Sequence, residues 1–316
     1  MGDQEAVAPP GASQSSTAWV FPGQGSQAVG MGKALYDLYP EVEALFRTAD
    51  QALGYSISEL CFNGPADLLQ RTDNAQPALL VTEIAHLTAL RLRYAGLYDT
   101  SAFVAGHSLG EYAALVASGV LDFEDALMLV AERGRLMNEV GSSLEQPTGM
   151  VAVLGLPDEV ADSLCKDAGV DLANLNAPGQ IVLSGSQAGL ERATELAKAA
   201  GARRVVPLQV SAAFHSRWMH PMSKEFARYL GDTPFAEPKI PVVANVTARP
   251  APDAQDIRHL LEMQTYSPVR WLESVQYMVQ EGVTTFVEVG PGKVLSGLIK
   301  RIAPDAQVVS SEELLA

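Results

Sequence analysis

Two cysteines in 316 residues, Cys61 and Cys165, offer neither a disulfide framework nor a metal-type spacing. Such sparing use of thiols fits a reducing, cytoplasmic location. Positive charge is also scarce: 22 Lys and Arg stand against 37 Asp and Glu, a net charge of -15. Nucleic acid and anionic membrane surfaces would repel this chain, so neither is expected as a partner. No apolar run approaches the ~20 residues that a membrane-spanning helix requires. No internal repeat is present. The first 17 residues, MGDQEAVAPPGASQSST, lack both a basic start and an apolar run. They read as a disordered leader, residues 1–17, and not as a signal peptide. The full chain is 47% hydrophobic and 19% charged, enough core for one large domain or one large plus one small.

Strand and helix patterns alternate, so the expected fold class is α/β with a mainly parallel sheet. The first strand is expected at 18–21, with helical patterning over 31–39. A long Ala- and Leu-rich helix is expected over 78–94, with Pro77 at its first turn. Residues 101–105 read as a buried strand, 111–118 as a helix, and 123–140 as a helix entered through Asp122 as cap. Residues 148–210 follow a β-α-β-β-α-β order, the ferredoxin-like pattern. This subdomain reads as an insertion into a larger domain made of 18–147 and 211–316, whose sheet takes further strands at 241–244 and 285–289.

Gly106-His107-Ser108-Leu109-Gly110 lies between the buried strand and the following helix. A serine between two glycines at a strand-to-helix turn is a nucleophile elbow, with its hydroxyl beside the first amides of a helix. The pentapeptide alone would also suit a chance loop; the strand before it and the helix after it favour the elbow. Such a serine needs a base, and His215 is the best placed of five histidines, where the small unit hands back to the large one. His107 is adjacent to Ser108 and should point away from it. No Asp or Glu stands out as a third member, so a dyad is expected, with His215 oriented by a backbone carbonyl or an amide side chain. Gly23-Gln24-Gly25 follows the first strand without the acidic second strand of a dinucleotide site, so no nucleotide is expected. Its amides could instead face the same oxyanion as the elbow. Gly290-Pro-Gly-Lys293 reads as a turn before a helix. Ala126, Val130, Arg133 and Met137 share one helix face. An arginine on that stripe is either a structural ion pair or a clamp for a substrate carboxylate.

Taken together, Phe21-Pro-Gly-Gln-Gly-Ser-Gln27, Gln76-Pro-Ala-Leu, Gly106-His-Ser-Leu-Gly110, Arg133-Gly134, Asn176-x-Pro-x-Gln180, Phe214-His215, Asn245-Val-Thr247, Gln264-x-x-x-Pro-Val-x-Trp271 and Val289-Gly-Pro-Gly292 resemble the malonyl-CoA:acyl carrier protein transacylases and the related acyltransferases of polyketide synthases. The resemblance runs from Trp19 to Arg301. It implies an α/β-hydrolase-like large domain with an inserted ferredoxin-like subdomain. It also implies Ser108 as the acylated nucleophile, His215 as general base, and the amides of Gln24 and Leu109 as oxyanion hole. Arg133 would hold the free malonyl carboxylate, with Gln76, Met137, Asn176, Phe214 and Gln264 completing the substrate site and Gln264 orienting the histidine. Phe214 resembles the malonyl-selecting type. No metal or cofactor of the enzyme's own is implied, since the phosphopantetheine belongs to an acyl carrier protein. The expected partners are malonyl-CoA and that carrier, met by a monomer, in fatty-acid or polyketide synthesis. An acidic carrier would need a basic rim, for which Arg203, Arg204, Arg217, Lys300 and Arg301 are candidates. A different acyl unit, a serine acyl hydrolase and an idle carrier-binding module are the alternatives.

Overall fold

In the computed structural model, residues 16–94 and 101–316 are described. All of the expected leader except Ser16 and Thr17 therefore lies outside the described residues. The chain runs through β1 (Thr17–Phe21), β2 (Phe103–Gly106), β3 (Thr148–Leu154), β4 (Asp171–Ala177), β5 (Gln180–Ser186), β6 (Arg204–Pro207), β7 (Val242–Val243), β8 (Thr285–Glu288) and β9 (Gln307–Ser310). Thr17 already pairs with Thr285, so the first strand starts one residue ahead of its expected position.

Five strands form a parallel sheet in the order β7-β2-β1-β8-β9. Every residue of β1, β2 and β8 is buried, as a parallel sheet covered on both faces requires. The strand period of two divides β1 between two cores. Trp19 and Phe21 join one cluster, which contains Leu79, Leu80 and Val130 from long helices. Ala18 and Val20 join the other, with Trp271, Val275 and Leu298.

The remaining strands form an antiparallel sheet in the order β4-β5-β3-β6. Helices Ala161–Ala168 and Gln187–Ala199 close a separate apolar cluster around Val153, Leu183 and Ala193. Strand β4 is tied to the segment ahead of helix Trp271–Gln280: Leu175 N donates to Val269 O at 2.9 Å, and Val269 N to Ala173 O at 2.8 Å.

Two local expectations need correction, and one strand was not foreseen. The long helix is Thr72–Arg93 and holds Pro77 inside it. Its first turn packs so tightly on Gly134 that a Cβ there would lie 2.9 Å from Thr72 O. This contact and burial of the helix outweigh the one backbone bond that Pro77 cannot donate. Asp122 occupies the cap position of helix Phe123–Ser143, but its side chain makes no capping bond. Strand β9 was not anticipated, being a short edge strand with only Ser310 buried. Among the described residues no helix is long and apolar enough to cross a membrane.

Candidate active site

The turn after β2 is forced by contact. A Cβ at Gly106 would overlap the backbone of Gly110 and Glu111, and one at Gly110 would overlap the Phe21 and Pro22 carbonyls. Between them Ser108 is held at φ 51°, a left-handed conformation that costs a serine on the order of 1–3 kcal/mol. Asn245, just past β7, clamps the turn from both sides. Its Oδ1 accepts from Ser108 N at 2.7 Å, and its Nδ2 donates to Gly106 O at 2.6 Å.

The hydroxyl of Ser108 lies 2.8 Å from His215 Nε2, and His215 Nδ1 lies 2.8 Å from the backbone carbonyl of Gln264. A carbonyl can only accept, so Nδ1 carries the proton and Nε2 presents its lone pair to the serine. His215 is also left-handed, at φ 56°. Burial, then the nearby Arg133 charge, push its pKa down to about 3. The imidazole is therefore neutral at physiological pH, with its Nε2 lone pair turned to the serine hydroxyl.

Arg133 is 2% exposed. Its Nη1 donates to Gln76 Oε1 at 2.6 Å, and its Nη2 donates to Gln264 Oε1 at 3.0 Å and to Ser108 Oγ at 3.1 Å. Burial lowers its pKa from the ordinary arginine value. No carboxylate reaches ion-pair distance of it among the described residues, so the structural ion pair is not found. A buried guanidinium held only by neutral oxygens is a strong site for an incoming carboxylate. Arg135, farther round the helix, pairs instead with Glu132 and Glu139 near solvent.

A cavity of about 110 Å³ brings together Gln24, Ser108, Arg133, Met137, Phe214 and His215. Across it stand Met150, Asn174, Leu208 and Val210 from the small-sheet side. The backbone amides of Gln24 and Leu109 donate to no acceptor among the described residues. Gln76 and Gln264 are buried behind Arg133 and do not line the cavity. Asn176 is likewise withdrawn, its Oδ1 lying 2.8 Å from His107 Nε2; Asn174 lines the cavity instead. His107 also lines the cavity, but its Nε2 is engaged by Asn176 and not by the serine hydroxyl. His86 is buried elsewhere, against Ser311. Asn245 and Glu111, which support the turn and Gln264, had no assigned role from sequence. An amide directly after a short buried strand was the available signal. The small-sheet wall had none. All five rim candidates are exposed; Arg217 is bound to Asp171 through several contacts, and Arg301 donates to Gln180 Oε1 and to the Pro178 carbonyl. Among the described residues no group of three or more His, Cys, Asp or Glu could hold a metal ion.

A serine on a strained backbone with its hydroxyl on a neutral imidazole, beside a buried guanidinium that has no carboxylate partner among the described residues, is equipment for covalent transfer of an acyl group. Residues 18–316 match the model of the acyl transferase domain family. The chain belongs to that family. It is 47% identical over 293 residues to the malonyl CoA-acyl carrier protein transacylase of Bacillus subtilis, covering 91% of this chain and 90% of that one. The transacylase of Haemophilus influenzae is 44% identical over 302 residues, covering 94% and 95%. Among solved structures, an acyl carrier protein S-malonyltransferase from Vibrio cholerae superposes with a TM-score of 0.89 at 42% identity, covering 94% and 96%. A malonyl-transacylase solved in complex with its type II polyketide acyl-carrier protein gives 0.89 at 41%, covering 94% and 96%.

Proposed function

We propose that this chain moves a malonyl group from malonyl-CoA, through an ester on Ser108, to the phosphopantetheine thiol of an acyl carrier protein. The observation that carries this reading is the single hydroxyl that meets both the imidazole and the guanidinium, at 2.8 and 3.1 Å. In the empty site Arg133 donates to Ser108 Oγ. An arriving carboxylate competes for that guanidinium and frees the oxygen's lone pair. It also offsets the positive charge that depresses His215, so a carboxylated acyl unit favours the chemical step as well as binding.

Ser108 Oγ then attacks the thioester carbon while its proton passes to His215 Nε2. The negative charge on the former carbonyl oxygen is met by the Gln24 and Leu109 amides. As the carbon–sulfur bond breaks, His215 returns the proton to the leaving CoA sulfur. The second half-reaction runs the same steps backwards, with the carrier's thiol as nucleophile. The enzyme needs no cofactor of its own for these steps.

The architecture supports a domain division to match: an α/β-hydrolase-like domain from 18–147 and 211–316, and a ferredoxin-like subdomain over 148–210. The four-stranded order and its two helices favour the latter. An acidic carrier would dock on the exposed cations Arg203, Arg204, Lys300 and Arg301, with Arg217 spoken for by Asp171.

The test is intact-mass analysis after incubation with malonyl-, methylmalonyl- or acetyl-CoA, with the labelled residue mapped. One malonyl group on Ser108, transferable to a holo carrier, is expected. A label elsewhere, or acetyl taken as readily as malonyl, would overturn the assignment.

A further inference from the structure

Glu111 takes no part in these steps, yet it is buried directly beneath them. It is the second residue of helix Gly110–Ala117 and 3% exposed. Its Oε2 accepts from Gln264 Nε2 at 2.6 Å and from Asn245 N at 3.3 Å. Among the described residues it has no ion-pair partner. Gln264 stands between Glu111 and Arg133, with its amide nitrogen on the carboxylate and its amide oxygen on the guanidinium. If that amide were reversed, its NH₂ would face a guanidinium, donor against donor, and its oxygen would face a carboxylate. Glu111, together with the Ser108 carbonyl that accepts from the same Gln264 Nε2 at 2.9 Å, therefore sets the orientation that Arg133 requires, through the same residue whose carbonyl holds His215.

Charge makes a second demand. Arg133, on helix Phe123–Ser143, is the charged group acting on Glu111. Tyr112 on its own helix is a neutral phenol whose ionisation burial suppresses, and Gln264 and Asn245 from the other packed segments are neutral. Above about pH 7, where Glu111 is mostly ionised, the cleft before substrate arrives holds one buried anion and one buried cation separated by an amide. A substrate carboxylate would make two anions around one cation, which raises the affinity of one of them for a proton. Burial already holds Glu111 up at about 7.

Building on the function proposed above, we infer that Glu111 is a positioning residue that balances Arg133 in the empty cleft. It takes a proton from solvent when a carboxylated acyl unit replaces it as the guanidinium's counterion. The proton settles on the Glu111 carboxylate; the substrate stays ionised and Arg133 stays charged. The hydrogen bonds from Gln264 and Asn245 remain on the oxygen that is not protonated.

The experiment measures proton uptake on ligand binding to the Ser108→Ala protein, which binds without reacting. Calorimetry slightly above pH 7, in buffers of different ionisation enthalpy, gives the number of protons. Malonyl-CoA should draw in a substantial fraction of one proton, and acetyl-CoA none. Adding Glu111→Gln, whose amide oxygen can still accept both bonds, should abolish the uptake. A purely structural Glu111 would leave uptake at zero with either ligand. Zero uptake, equal uptake with acetyl-CoA, or uptake that survives Glu111→Gln would each overturn this inference, while malonylation of wild-type Ser108 would leave the proposed function standing. Failure of the wild-type protein to acquire malonyl on Ser108 would remove both. The malonyl–acetyl difference is read with Glu111 intact, so it does not depend on the variant folding.

Discussion

The two sheets meet the same cleft in different ways. Strands β1, β2 and β8 are buried along their whole length, whereas β3 and β4 bury only part of theirs and β6 buries none. At the ends of the parallel strands the backbone is over-determined by neighbours on both faces. Strain at Ser108 and a buried guanidinium can persist there because the surroundings leave no way to relax. The antiparallel side contributes Met150, Leu208 and Val210 to the cavity, mostly apolar surface with no bond to the reacting groups. On the function proposed above, one region holds the chemistry and the other shapes what enters.

Substitutions should separate the two. His215→Ala should lower the rate of Ser108 acylation by ~10²–10⁴-fold, the usual worth of a general base, with the fold intact by circular dichroism. A loss under tenfold would show that the serine is activated otherwise. Arg133→Ala removes the charged bonds to a carboxylate, each worth about 1.5–3 kcal/mol. Malonyl transfer should therefore fall ~100-fold or more relative to acetyl transfer, measured as kcat/KM for each. Equal losses would break the clamp. On the other side, Leu183→Ala opens a hole in the small unit's own core and should cost ~2–5 kcal/mol in urea unfolding. Per folded molecule, its acylation rate should change little. If the rate fell with stability, the two regions would not be separable.

The smallest effect concerns acid. Burial lowers His86 to about 4 and His215 to about 3, so the unfolded chain binds more protons than the folded one between those values and the ordinary ~6.5. Their contribution is complete above that range and is lost as pH falls through it. His86→Asn should flatten the fall in stability between pH 6.5 and 4 by on the order of 1–3 kcal/mol, without changing activity at neutral pH. An unchanged slope would place the acid sensitivity elsewhere.

Much of this was legible in the residues. Glycines at 106 and 110 announce a crowded turn because the demand they meet is steric and local. The α/β alternation and the strand at 103–106 follow from periodicity. Met137 and Phe214 were expected at the site and line it; Gln76 and Gln264 were expected there and stand one layer back. Asn174 and not Asn176 lines the cavity, in a strand made irregular by register shifts between Leu172 and Asn174 and between Leu175 and Ala177. Pro77 misled the helix boundary because a single lost hydrogen bond is a weak signal against packing on Gly134.

What the chain settles unaided is short-range: where a turn must be tight, which strands are buried, and which helix face carries an arginine. These follow from sterics and periodicity within a few residues. Which serine meets which histidine, 107 positions apart, and whether Arg133 finds a carboxylate or only neutral oxygens, were decided by packing. Desolvation and hydrogen-bond geometry act between groups that only the folded chain brings together.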